Sequence, residues 1–273
     1  MKTFLAKLCR PIFERTVFSR RLPADLGGAR IYVTPRSDAR VLRQTIAEMD
    51  PDLLTAVRML VRPGDKVWDI GSNLGVFSVA AAYLAGAKGS VLSVDADTAH
   101  VELLRRTVRR AGCPQVTLLN CGIAAEAGVA RLNIVGRGKA KNFIEQAESS
   151  AAFDGVVEQH TIVTVTLDWL AAHFPAPDAV KIDIEGAELM ALRGAASLLR
   201  GPRPAIYVEV HPSNASAASS LLGECGYSLF EIQSGGLALK PIELCTFNTL
   251  ALPAERVAEF EERAARRTQL PKT

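Results

Sequence analysis

The stretch Val67-Trp68-Asp69-Ile70-Gly71-Ser72-Asn73-Leu74-Gly75-Val76-Phe77-Ser78 decides how this chain folds. It opens on a short apolar run holding one carboxylate, passes through a glycine turn, and ends in an apolar helix start. Strand, tight turn and helix in that order build a ligand crevice at the carboxyl end of a parallel strand. Gly71 suits backbone angles that a residue with a Cβ adopts only under strain. Gly75 lets the helix start approach the strand and the ligand closely. The spacing is G-x-x-x-G, whereas a dinucleotide fingerprint needs glycine at the positions of Asn73 and Val76. The turn therefore disfavours NAD or FAD and favours a nucleoside ligand without a pyrophosphate, such as S-adenosylmethionine.

Strand and helix alternate downstream of the turn. The patterns predict strands over 67–70, 91–94 and 116–119 and helices over 76–84 and 98–111. Further strands are expected over 129–135, 161–165, 179–184, 205–210, 227–232 and 247–250, with helices over 187–199 and 215–225. Such alternation predicts an α/β fold, a mainly parallel sheet with helices on both faces. Upstream, 28–33 reads as a short strand and 53–61 as a helix ended by Pro63-Gly64. Residues 136–159 are polar and carry little periodicity, which marks a functional or irregular segment. The organisation is a basic, proline-punctuated lead-in over 1–50, one α/β domain over 51–252, and a charged helix and tail over 253–273.

With 273 residues, 48% of them apolar, the chain can bury a sizeable core. A net charge of +3 implies no global polyanion-binding field, so no nucleic-acid partner is expected. Charge is uneven: residues 1–21 carry Lys2, Lys7, Arg10, Arg15, Arg20 and Arg21 against Glu14 alone. Phe4, Leu5, Leu8, Ile12, Phe13 and Val17 interleave with them at helical spacing. That pattern suits a helix packed on the domain with its charges in water, or peripheral contact with an anionic membrane. No stretch approaches the roughly 20 apolar residues a bilayer crossing needs. The five scattered cysteines show no disulfide or metal spacing and point to a reducing, cytoplasmic setting, with any membrane contact at the inner face.

Four further positions gather at the carboxyl ends of strands. Asp95 follows its strand about 20 residues beyond the glycine turn, where a carboxylate accepts both ribose hydroxyls of a nucleoside. Asn120, Cys121 and Gly122 close the third strand, and small residues there leave room for a flat ring. The run Lys181-Ile182-Asp183-Ile184-Glu185-Gly186-Ala187-Glu188 puts charges at the end of a strand that should otherwise be apolar. Asp183 and Glu185 are candidates to face the acceptor, and Glu188 suits the following helix dipole. His211 ends the next strand beside Asp183 and is a candidate general base.

Taken in order, 67–78, Asp95, 120–123, 180–195 and 209–211 resemble the FkbM family of S-adenosylmethionine-dependent methyltransferases, most specifically through 181–188 and Leu192-Arg193-Gly194-Ala195. The lead-in Val165-Thr166-Leu167-Asp168 also fits. The resemblance spans roughly 53–251 and implies a Rossmann-like, seven-stranded class I methyltransferase fold ending in an antiparallel hairpin. It implies O-methylation of a hydroxyl on a sugar, glycan, glycolipid or polyketide. Carried onto this chain, it places the methionine portion of the cofactor on Asp69, Gly71, Asn73 and Gly75, the ribose on Asp95, and the acceptor against Asp183, Glu185 and His211. The family usually has Glu-Pro where this chain has Asp95-Ala96; the shorter side chain keeps its bidentate acceptor. A divalent metal on Asp183 and Glu185 is the weaker mechanistic alternative. The competing functional classes are a non-catalytic scaffold or membrane-associated protein, and a nicotinamide-dependent oxidoreductase.

Overall fold

The computed structural model describes residues 16–35, 39–135, 142–145, 156–232 and 239–268. The chain enters as an antiparallel hairpin, β1 (Phe18–Arg21) and β2 (Arg30–Val33), followed by α1 (Ile46–Met49) and α2 (Pro51–Leu60). Thr45 and Glu48 form a capping box on α1, and Asp50 caps α2 by accepting from the Leu53 N–H. Next come β3 (Lys66–Ile70), α3 (Val76–Ala85), β4 (Ser90–Asp95), α4 (Thr98–Ala111) and β5 (Val116–Asn120). An inserted sheet follows, built from β6 (Gly122–Ile123), β7 (Gly128–Val135), β8 (Phe143–Ile144) and β9 (Val156–Val165). The remainder is α5 (Leu167–His173), β10 (Ala179–Ile182), α6 (Glu188–Arg193), α7 (Ala196–Arg200), β11 (Ala205–Val208), α8 (Ala215–Glu224), β12 (Tyr227–Glu231), β13 (Lys240–Ile242), β14 (Thr249–Pro253) and α9 (Val257–Thr268).

The main sheet runs β13-β12-β14-β11-β10-β3-β4-β5. The five strands from β11 to β5 are parallel, and β14, β12 and β13 form the antiparallel edge. Strand order reverses at β3, which has β4 on one side and the later β10 on the other; that reversal opens the crevice. One face of the sheet is covered by the hairpin, α2, α3, α4 and α9 through Ile31, Leu54, Phe77, Leu104 and Phe260. The other is covered by α5 to α8 through Leu170, Leu192, Leu198 and Leu222 packed on Trp68, Ile182 and Val208. Each such fully buried side chain contributes about 1.5–3 kcal/mol of transfer free energy.

Several elements depart from the sequence pattern, each for a local reason. The sheet has eight strands among the described residues rather than seven, because Lys240–Ile242 adds to the antiparallel edge. Strand β9 begins at Val156, not at 161, inside the stretch expected to lack structure. Its first residues pair with β7 but are largely exposed, so they show no apolar alternation. Within that same stretch, 136–141 and 146–155 lie outside the described residues. The helix expected over 187–199 is two helices, broken at Gly194-Ala195. A Cβ on Gly194 would sit 2.6 Å from the Ala124 carbonyl oxygen, so a close chain crossing fixes glycine there. The Asp168 carboxylate then accepts from the N–H groups of Ser197 and Leu198 at 2.9 and 2.8 Å, starting the second helix. The strand expected over 179–184 ends at Ile182 and the one over 205–210 at Val208, where the backbone leaves the sheet to shape the crevice rim. The last strand starts at Thr249, two residues later than expected, and Phe247 is exposed.

The ends of the chain also have structure. Of the basic segment 1–21, residues 1–15 lie outside the described residues, and Phe18–Arg21 is strand rather than helix. The charged terminal helix is not simply solvated: Phe260 is 1% exposed and belongs to the main core. Guanidinium groups of Arg62, Arg256 and Arg263 lie 5.7, 5.4 and 5.0 Å from its ring centre. Among the described residues no helix is long and apolar enough to cross a membrane.

Candidate active site

The crevice floor is a buried ion cluster. Parallel register sets Lys181 of β10 beside Asp69 of β3. The Lys181 ammonium lies 3.2 Å from Asp69 Oδ1 and 3.5 Å from Asp183 Oδ2, and donates to the carbonyl oxygen of Gly71. Burial alone would lower its pKa, but the carboxylates of Asp69, Asp183 and Glu209 override that and push it well up. Asp69 also accepts from Ser78 Oγ, which in turn accepts from Ser93 Oγ at 2.7 Å. Asp69 is fully buried and is not part of the cavity lining, so it holds the turn from below.

Above the floor lies the glycine turn. The N–H groups of Gly71 and Ser72 both donate to the Val94 carbonyl, at 2.8 and 3.0 Å. Gly71 has φ +80°, and a Cβ there would stand 1.8 Å from the Asp183 carbonyl oxygen. Two neighbouring chain segments therefore meet across a glycine that no other residue replaces without moving one of them. Asn73 takes φ +46°, which asparagine tolerates, and its N–H donates to Asp95 Oδ2 at 2.6 Å. Asp95 Oδ1 accepts from the Asp97 N–H at 2.8 Å and faces His100 Nδ1 at 3.5 Å. Burial would raise the Asp95 pKa; His100 and the two N–H donors outweigh it and hold the carboxylate below its usual range. Gly75 caps α3 against Leu104, outside the lining.

These groups open into one cavity of about 400 Å³. Gly71, Asn73 and Asp95 line its middle, Cys121 and Gly122 one end, and Asp183, Ile184 and Glu185 the other. The inserted sheet supplies a facing wall of Leu132, Val135, Phe143 and Ile144, so the Cys121 end is an apolar slot. Asn142 fastens that wall: its amide donates to Asp97 Oδ2 at 2.8 Å, and its oxygen accepts from the Val135 N–H at 3.0 Å. Burial pushes the Cys121 thiol up to about 11, so it is a small neutral wall group. At the opposite end Glu185 has φ +53°, an unusual backbone for that residue, directly before Gly186 at +91°. The buried Glu188 carboxylate holds this turn by accepting from the N–H groups of Ile184 and Gly186 at 3.3 and 2.9 Å. Burial raises its pKa.

The expected site residues thus divide. Gly71, Asn73, Asp95, Cys121, Gly122, Asp183 and Glu185 come together in the cavity. Asn120 does not line it; its amide donates to the carbonyls of Asp95 and Ala96, bracing β5 against the turn after β4. His211 does not line it either. Strand β11 ends at Val208, Glu209 takes the place beside Ile182 by donating its N–H to the Ile182 carbonyl, and His211 lies beyond, 2.8 Å from Ser213 Oγ. The sequence placed His211 next to Asp183 by extending both strands two residues too far. Glu209 instead sits near Lys181 and the buried Tyr207 hydroxyl, which is 3.2 Å from Glu209 Oε1 and 2.7 Å from Asn248 Oδ1.

Sequence reasoning missed His100, Asn142 and Phe143. His100 stands five residues after Asp95 in the first helical turn, a spacing that carries no sign of its direction. Asn142 and Phe143 lay in the aperiodic stretch. Among the described residues no group of three or more His, Cys, Asp or Glu side chains is arranged to hold a metal ion.

The lining fits S-adenosylmethionine in kind. An apolar slot matches a flat base, a pre-oriented carboxylate matches a ribose diol, and carboxylates at the far end match a cationic sulfonium. Asn73 Oδ1 is buried with no hydrogen-bond partner among the described residues, an acceptor awaiting a donor. Fold and crevice together are those of a class I S-adenosylmethionine-dependent methyltransferase. The chain belongs to the FkbM methyltransferase family: the model of the methyltransferase FkbM domain matches residues 69–229, more than half of its length. Among solved structures, the FkbM methyltransferase of Methylobacillus flagellatus is 17% identical with a TM-score of 0.47, over 76% of this chain and 59% of that one. This chain therefore spans under two thirds of that protein's length. Precorrin-6y C5,15-methyltransferase of Geobacter metallireducens is 13% identical, TM-score 0.42, over 73% and 85% of the two chains. Fibrillarin of Aeropyrum pernix, solved with natively bound S-adenosyl-L-methionine, is 11% identical, TM-score 0.43, over 86% and 92%. No curated protein matches the chain.

Proposed function

We propose that this protein transfers a methyl group from S-adenosylmethionine to a hydroxyl of a sugar, glycan, glycolipid or polyketide-type acceptor. The observation that carries the reading is the pair Asp183 and Glu185, held on a left-handed turn at the end of the same cavity that Asp95 and Asn73 line. When bound, the cofactor supplies an electrophilic methyl group on a sulfonium. An alcohol is a weak nucleophile, so a base has to take its proton as attack begins. Asp183 is that base in this reading. Lys181 beside it holds the side chain in place and balances the carboxylate before the acceptor arrives. Glu185 orients the acceptor by accepting from a second hydroxyl. Alignment of the acceptor oxygen with the methyl carbon and sulfur supplies several kcal/mol of the barrier, which explains a turn fixed from below by Glu188. Asn73 and Asp95 bind the cofactor's polar groups, and the Cys121–Phe143 slot takes its base.

The test joins calorimetry to an acceptor screen. Wild type should bind S-adenosylmethionine with micromolar affinity, and Asp95→Ala should abolish binding. With glycan- and lipid-linked hydroxyls as acceptors, Asp183→Asn should keep cofactor affinity within a few-fold and lose at least a hundredfold in turnover, the usual size of a lost general base. A folded wild type that binds no cofactor would favour a scaffold; transfer to amines but not hydroxyls would overturn the O-directed reading.

A further inference from the structure

The hairpin at the start of the described chain lies across α4. The Tyr32 N–H donates to Thr107 Oγ1 at 3.0 Å, and the Arg106 guanidinium sits 5.1 Å from the Tyr32 ring centre. Docking brings two sets of arginines onto one face. Arg21 and Arg30, cross-strand partners on the side of the hairpin that carries Tyr32, come from the strands, and Arg105, Arg106, Arg109 and Arg110 from the helix. All six are exposed. In these three elements the sole exposed acid is Glu102, which pairs with Arg105 at 3.6 Å. Asp25, in the turn between the strands, is occupied by Arg58 at 2.6 Å. Six arginines against one glutamate, in a chain whose total is +3, leave the remainder of the molecule net negative. The protein is therefore electrically polarised. Nothing in the cofactor reading calls for a guanidinium cluster on the outer side of α4.

Two observations point to the partner. The cavity reaches this face, since the exposed Glu102 and Arg106 of α4 belong to its lining, with Thr34 just beyond β2. Apolar groups accompany the charge as well: Tyr83 is 55% exposed and touches the hairpin turn at Gly27. The sequence leading into β1 also interleaves Phe4, Leu5, Leu8, Ile12 and Phe13 with Lys2, Lys7, Arg10 and Arg15. Basic groups for headgroup phosphates, with aromatic and aliphatic groups among them, suit a lipid surface better than a nucleic-acid groove. We propose that the face formed by β1, β2 and α4 docks on an anionic lipid bilayer and turns the cavity mouth toward hydroxyls carried at that surface. The inference does not depend on which hydroxyl is methylated.

Co-sedimentation of the full chain with phosphatidylcholine vesicles, with and without phosphatidylglycerol, at low and high salt, tests it. Wild type should bind only the anionic vesicles, and less at high salt. The variant Arg21→Gln/Arg30→Gln/Arg109→Gln/Arg110→Gln alters no cavity-lining residue and no hydrogen-bond or ion-pair partner of one. At about five-fold per basic residue, it should lose at least a hundredfold in vesicle affinity. Calorimetry with S-adenosylmethionine and far-UV circular dichroism should match wild type; if that variant misfolds, Arg109→Gln/Arg110→Gln should lose roughly twenty-five-fold by the same arithmetic. A wild type that ignores anionic vesicles, a folded variant that binds them undiminished, or a wild type that a single-stranded RNA strips from the vesicles would each overturn the proposal.

Discussion

Replacing Lys181 with methionine isolates what the buried ammonium does. The side chain is 4% exposed and faces Asp69, 0% exposed, at 3.2 Å and Asp183 at 3.5 Å. At an effective dielectric near 20, attraction to each carboxylate is about 5 kcal/mol, offset in part by the cost of burying the ammonium. Methionine has similar volume, so the loss is electrostatic: Asp69 is left buried without its counter-charge. Breaking such a pair costs about 3–5 kcal/mol, which in a domain of this size lowers Tm by roughly 10 °C. Urea unfolding followed by far-UV circular dichroism measures this. The double variant Asp69→Asn/Lys181→Met should recover a large share, because the stranded charge is gone. The folded pKa of Lys181 is raised above the unfolded value of about 10.4, so its contribution is full below that value. The contribution is lost as pH rises from there through the folded pKa. The stability gap between wild type and Lys181→Met should thus be constant from neutral pH to about 9.5 and shrink above about 10.5. A single-variant loss under about 1 kcal/mol, or a double variant whose loss is the sum of the two singles, would refute the ion-cluster account.

Three further outcomes follow from the geometry. Gly71→Ala should cost about 2 kcal/mol or more through strain at positive φ, and weaken cofactor binding, because its Cβ would meet the Asp183 carbonyl at 1.8 Å; thermal melts and calorimetry check both. His211→Ala should keep turnover within about threefold of wild type, since His211 lies outside the cavity; a loss beyond about a hundredfold in a radiolabelled methyl-transfer assay would restore it as the base. Phe260→Ala should lower stability by about 3–5 kcal/mol and show that the charged terminal helix is part of the core, measured by urea midpoint.

Much of the fold was legible in the sequence because the buried parallel strands are mostly apolar and end at turn residues. Helix 98–111 was read to the residue, since Asp97 caps it and Gly112 ends it in the left-handed conformation. Asp95, Asp183 and Glu185 stood out because each interrupts an apolar strand end, Gly71 because a tight turn calls for glycine, and Asn73 through the family resemblance; all five line the cavity. The inserted sheet was legible only in part: β7 and the second half of β9 were expected as strands, while the exposed first half of β9 and the two-residue β8 were not. Asn142 and Phe143 could be assigned to the cavity only after that sheet had been folded over α4.

The motif around Lys181 shows the division most clearly. By itself the sequence determined that charges stand at a strand's carboxyl end, and that a glycine turn faces them from another strand. Register decided what those charges do: pairing β10 with β3 put Lys181 against Asp69 rather than toward the ligand. Where each strand ends decided the rest, leaving Asp183 and Glu185 in the cavity and carrying His211 past it. Apolar periodicity is set by burial, which a sequence records residue by residue. The partner of a charge depends on which strand lies alongside and where the backbone turns away, and both are properties of the packed sheet.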